Sequence, residues 1–186
     1  LYESHTSILP EGRGVWTWDY GRQALAWMFT HTDAIEIMTK CPVNNKRAIA
    51  GAQLMGAVKQ FTTRAIWPTD EGPVPCEVYS IYIGQWMTNA PGLVEWGQAF
   101  HQELDRKLLA KGMPKTSHLE DETHNRYVGA ASLMFMAGQY VKAVTFYNRW
   151  AVMAGYRPII LRSLDPAIID MGDVKIKVEG SEIEVL

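Results

Sequence analysis

Apolar and polar positions along this chain follow two periods, one helical and one of strand type. The helical period is longest from Arg126 to about Ala154, where there is no Pro and where Ala and other strong helix formers recur. At about 100° per residue, Gln139, Lys142, Phe146 and Arg149 fall on one narrow stripe, and the other faces are Leu, Met, Val, Ala and aromatic. This predicts one long, mostly buried helix. Three more helices follow from the same period. One runs from about Asp19 to Lys40, rich in Trp and Tyr of the kind that fills cores, with His31 in its middle read as an ordinary packed or surface histidine. The next runs from about Asn45 to Ile66, after the turn residues Pro42, Asn44 and Asn45. The last runs from Pro91 to about Lys111, its apolar stripe being Leu93, Trp96, Phe100, Leu104 and Leu108, with His101 and Asp105 off it.

Period-two alternation appears at the end of the chain. Val174, Ile176 and Val178 alternate with Lys175 and Lys177, Ile183 and Val185 alternate with Glu182 and Glu184, and Gly180 and Ser181 suit a two-residue turn. A hairpin is predicted there, its lysines facing its glutamates. Arg157 to Leu161 reads as a strand, residues 163–173 as a loop, and 76–87 as strand or short helix. The breaker-rich segment from Trp67 to Pro75 divides the chain into halves. The expected fold is therefore mainly α: a bundle of four or so long helices with a small C-terminal β-hairpin and an extended N-terminal arm. In domain terms, residues 1–14 form the arm, 15–156 the helical domain, and 157–186 a β segment packed on the helices or on a neighbouring subunit.

Charge changes the functional picture more than composition does. The net charge is only −2, but two windows, Ile37 to Thr69 and Thr123 to Leu164, hold ten basic side chains and no acid, while the other 111 residues hold eight basic against twenty acidic ones. The small residues Ala48, Ala50, Gly51, Ala52, Gly56 and Ala57 in the first window predict close approach of another backbone, whether a helix, a second subunit or a sugar-phosphate strand. Cys41 and Cys76 make neither a disulfide framework nor a zinc motif, so a reduced compartment is expected. The start of the chain lacks the basic and apolar pattern of a signal peptide. The apolar run from Val128 to Val141 is too short for a membrane span.

No phosphate-binding glycine loop, nucleophile elbow or HExxH helix occurs. The segment from Thr116 to Asn125 offers two readings. His118 and His124 beside Glu120, Asp121 and Glu122 have the ligand types of a metal site, but two histidines six residues apart lie about 240° apart on a helix and do not converge. Ser117 as a helix cap with Glu120 completing a capping box is the preferred reading, with no metal and no cofactor.

These features lead to a non-enzymatic, self-assembling structural protein that coats nucleic acid, DNA or RNA, through sequence-independent phosphate contacts, in the manner of a virion capsid or nucleocapsid subunit. The expected contact residues are Lys46, Arg47, Lys59, Arg64, Arg126, Lys142, Arg149 and Arg157, with Phe61, Tyr140, Phe146, Tyr147, Trp150 and Tyr156 available for stacking on bases. The expected partners are nucleic acid and further copies or a paralogous subunit, and the expected location is inside a cell or an assembled particle. The bland account of the same pattern is burial, which excludes acids from core helices while long basic side chains reach solvent. Two alternatives stand beside coating: a helical enzyme or ligand-binding protein in which His31, His101, His118 or His124 meets carboxylates in a cleft, and a protein-only oligomeric scaffold. If coating is right, Lys142→Glu with Arg149→Glu removes salt-sensitive nucleic-acid binding, measured as affinity against salt concentration.

Overall fold

The chain's computed structural model describes residues 1–4, 15–116 and 120–186. The proposed arm at 5–14, and Ser117 and His118 of the proposed cap and metal readings, lie outside the described residues. Packing divides the chain into two units, Leu1–Phe29 with Ala34–Asn89, and Thr30–Asp33 with Ala90–Leu186.

The mainly α expectation is overturned, and with it the all-α, capsid-like architecture. The fold is mixed α/β with two four-stranded sheets, and strands make up 27% of it where a bundle leaves room for one hairpin. Nothing in this fold supports a virion or capsid subunit.

The first unit contains β1 (Tyr2–Glu3), most of α1 (Val15–His31), β2 (Glu36–Pro42), α2 (Lys46–Leu54), β3 (Val58–Trp67), β4 (Val74–Tyr82) and α3 (Ile83–Asn89). Its sheet has the order β1-β2-β4-β3, with β1 parallel to β2 and the other pairs antiparallel. Both helices expected here end earlier than the periodicity suggested, the second after less than half the expected length. The first ends at His31, and Glu36–Pro42 becomes a strand that buries Ile37 and Cys41 against β4. The second starts where expected, with the Asn45 side chain accepting from the Ala48 N–H at 3.1 Å, but stops after Leu54. There Gly56 turns the chain at φ +86°, a conformation that favours glycine, and the β-branched and aromatic run from Val58 to Trp67 then pairs with β4. The small residues of α2 have their partner inside the unit: Ala52 packs with Cys41 and Tyr79, and Gly51 lies under the Trp18 ring. The breaker-rich segment is the connection of the β3–β4 hairpin, and the open stretch at 76–87 is strand followed by helix.

The second unit holds α4 (Leu93–Ala110), α5 (Glu122–Met136), α6 (Tyr140–Met153) and an antiparallel meander of β5 (Ile160–Leu164), β6 (Ala167–Asp170), β7 (Lys175–Glu179) and β8 (Glu182–Val185). The single long helix is in fact two. Gly138 takes φ +73° and the Gln139 N–H bonds back to the Met134 carbonyl at 2.8 Å, closing α5 before α6 begins at Tyr140. The terminal hairpin forms in the expected register, with Lys177 opposite Glu184, and the presumed loop before it supplies β6. Ala167, Ile169, Ile176, Val178, Ile183 and Val185 make the buried face of the sheet, with α4 against β8 and α5 against β7.

The tightest packing lies between α4 and α5. A Cβ on Gly97 would sit 1.8 Å from the Asn125 carbonyl oxygen, and one on Gly129 would sit 1.9 Å from that of Leu93. Neither backbone atom can move as a flexible side chain would, so the helices must separate to admit even a methyl group. Gly97→Ala and Gly129→Ala are each expected to destabilise the fold by about 3 kcal/mol in urea unfolding, at the upper end of overpacking costs. The double variant should cost less than the sum, because both substitutions spread the same crossing.

Candidate functional site

The α4–α5 crossing decides which side chains meet. Gly97 is central to it, and one turn further along α4 stands His101, 1% exposed, followed by the buried Asp105. The buried stripe of α4 is Leu93, Gly97, His101, Leu104, Asp105 and Leu108, while Trp96 is exposed. The helix is thus rotated from its apolar stripe towards its glycine, because close approach to α5 is possible only there.

Asp105 is satisfied internally. Its Oδ1 accepts from the Thr116 N–H at 2.7 Å and from the Thr116 hydroxyl at 2.9 Å. The Thr116 oxygen in turn lies 3.3 Å from His101 Nδ1. With the hydroxyl proton directed to Asp105, Thr116 can only accept from His101, which places the imidazole proton on Nδ1 and leaves Nε2 as the basic nitrogen.

Across from His101, α5 presents His124, 3% exposed, and the two rings have centroids 5.2 Å apart with planes at 30°. His124 is held by its own backbone. Asp121 caps α5, its Oδ1 accepting from the His124 N–H at 2.9 Å, and its other oxygen accepts from the Tyr156 hydroxyl. These bonds, that of His124 foremost, hold the Asp121 carboxyl below its ordinary range, and the same contact raises the Tyr156 phenol. The cap is therefore Asp121, within the acidic run and not at Ser117 before it. Around the His124 ring stand Tyr156, Trp150 and Tyr147, with centroids at 4.6, 5.6 and 6.1 Å. Burial pushes the Tyr147 phenol up to about 12, so it remains a protonated donor at neutral pH.

The pair forms part of the wall of a cavity of about 290 Å³ that lies wholly within the second unit. Leu104, Leu108, Val128, Phe135, Ile169 and Ile176 make its apolar wall, and Lys115, Arg157 and Asp173 are its exposed charged members. Two imidazoles on rigid helices can hydrogen-bond a ligand or exchange a proton with it.

The eight expected phosphate contacts are dispersed. Lys59 pairs with Glu77 at 2.7 Å, Arg126 with Glu122 at 3.1 Å and with the Ala90 carbonyl, and Arg157 with Asp173 at 3.7 Å. Lys142 donates to the Thr32 carbonyl at 2.8 Å. Lys46, Arg47, Arg64 and Arg149 are exposed, on α2, β3 and α6. Trp150 and Tyr147, expected to stack on bases, are buried around His124, whereas Phe61 is exposed on β3. The sequence singled out His101 and His124 one at a time; their meeting, and the parts played by Thr116, Tyr147 and Tyr156, carry no local signature. The useful signal was the pair Gly97 and Gly129, each on a helix with no turn to make. Among the described residues, no helix is long and apolar enough to cross a membrane.

Burial lowers the Lys142 ammonium to about 8, with Asp33 opposing the shift. An unfolded lysine titrates near 10.4, so between about pH 8 and 10 the unfolded chain holds the extra proton and stability rises with pH. The melting temperature of the wild type relative to Lys142→Met is expected to climb across that window; a constant difference would contradict the buried charge.

No protein-family profile matches the chain, and no curated protein or solved structure matches it.

Proposed function

We propose that this chain is a ligand-binding protein whose site is the cavity of the Ala90–Leu186 unit, where it takes a small, largely apolar molecule that lies against His101 and His124. The observation that carries the reading is the pair itself: two buried imidazoles from different helices, ring centroids 5.2 Å apart, in the wall of a cavity whose buried lining is largely apolar. Ligand sites have this build, an apolar concavity with a few convergent polar groups. Burying two imidazoles in a helix interface is costly compared with burying apolar side chains, which favours a use for them beyond packing.

An enzymatic role is the second reading, and the chain Asp105–Thr116–His101 favours it. A carboxylate that orients a histidine through an intervening hydroxyl is an arrangement suited to general-base work. Nucleic-acid coating is supported less well. Lys59, Arg126 and Lys142, three of its eight cations, are engaged with acceptors of the same chain, and its buried aromatics surround His124.

The test uses a neutral probe, n-octanol, followed by NMR of the histidine ring protons. Saturable shifts at His101 and His124 are expected. Ala131→Leu, which extends a buried wall residue into the cavity, should weaken the probe about tenfold. Shifts that do not saturate, or that survive Ala131→Leu unchanged, would sink the proposal.

A further inference from the structure

The polarity of the cavity runs in one direction. Its apolar wall residues Leu104, Leu108, Ile169 and Ile176 are each at most 2% exposed, whereas its charged lining residues, Lys115, Arg157 and Asp173, are all exposed and therefore stand at the mouth. Two of those three are cations.

Two acids that hydrogen-bond lining residues are already engaged within the chain. Asp105 accepts both Thr116 bonds on Oδ1, and Asp121 accepts from the His124 N–H and the Tyr156 hydroxyl. Among the described lining residues Asp173 is the acid, and it faces Arg157.

The Arg157 guanidinium lies against the backbone at Gly172. Gly172 turns at φ +97°, and a Cβ there would lie 2.3 Å from Arg157 Nη1, so the guanidinium rests in space that any other residue at 172 would take. Its ion pair with Asp173 is loose, 3.7 Å long between side chains that are 69% and 100% exposed. Such a pair adds little to stability, so an incoming anion can displace Asp173 without breaking structure. A planar guanidinium matches a carboxylate with two parallel hydrogen bonds.

We infer that the ligand is an amphipathic carboxylate, its apolar tail among Leu104, Leu108, Ile169 and Ile176 and its head at the mouth on Arg157, with Lys115 adding positive charge and Asp173 acting as the competitor the head displaces. This rests on the cavity being the binding site, and it makes Arg157 the residue that sets ligand class. The head lies on the same arginine that the charge pattern offered to phosphates.

Octanoate, n-octanol and n-octylamine share one chain length and separate the head from the tail. In titrations at pH 7 followed by NMR and calorimetry, octanoate is expected to bind at least tenfold more tightly than octanol, and octylamine least tightly. Arg157→Gln, at an exposed position, should abolish the advantage of octanoate and leave octanol unchanged, and Arg157→Lys should restore part of it. Asp173→Asn should tighten octanoate several-fold by removing the competitor. Equal binding of octanoate and octanol, or equal weakening of both by Arg157→Gln, would overturn the carboxylate assignment and leave the cavity as a neutral-ligand site. If none of the three probes binds, the cavity reading fails and the carboxylate reading with it.

Discussion

The second unit depends on the approach of α4 to α5 at Gly97 and Gly129. With no Cβ on either residue, each helix backbone reaches the other's carbonyls, closer than any side-chain interdigitation permits. The close approach fixes the rest by arithmetic along the helices. His101 is one turn beyond Gly97, and His124 is the neighbour of Asn125, whose carbonyl oxygen Gly97 faces. Bringing the glycines together therefore brings the imidazoles together. From there α5 hands the chain to α6 through Gly138, and α6 returns with Tyr147 and Trp150 to enclose His124. The meander supplies the remaining wall through Ile169 and Ile176.

What the sequence made legible was local, and what it hid was pairing. The hairpin from Val174 to Val185 was readable because its alternation and its Gly180 turn are complete within a dozen residues. The start of α2 at Asn45 was readable for the same reason, since a cap acts over three residues. By contrast, β2 and β3 were hidden inside helical patterns: Glu36–Pro42 and Val58–Trp67 become strands only because β4 lies between them to complete their hydrogen bonds. The long helix failed for a different reason. A glycine inside an apolar helical run costs only about 1 kcal/mol, so Gly138 did not look like a stop until its left-handed backbone was seen. The orientation of α4 failed because hydrophobicity ranks Trp96 above Gly97, while the crossing rewards absence of a side chain.

The segregated charge has two physical origins. In the Thr123 to Leu164 window, Arg126 and Lys142 donate to backbone carbonyls of Ala90 and Thr32, and a carboxylate at either position would repel the oxygen it faced. In the Ile37 to Thr69 window the cations stand on a strand and a short helix, and Lys59 answers an acid, Glu77, that lies outside the window. One compositional pattern thus arises from chain anchoring in one unit and cross-strand pairing in the other.

A cavity among leucines, isoleucines and valines invites collapse, because dispersion favours filling it. Here the walls are held by polar clamps that side-chain repacking cannot shift. Thr116 is tied to Asp105 by two bonds, which fixes the loop after α4. The Asn148 side chain brackets Ile159, accepting from its N–H at 2.8 Å and donating to its carbonyl at 2.7 Å, which fixes the approach to β5. Tyr156 is pinned to the α5 cap at Asp121. Each clamp satisfies buried or half-buried polar groups, so releasing one to let the wall move inward carries a desolvation cost that opposes the dispersion attraction. Three of the clamped residues, Thr116, Tyr156 and Ile159, themselves line the cavity, beside His101, His124 and Tyr147.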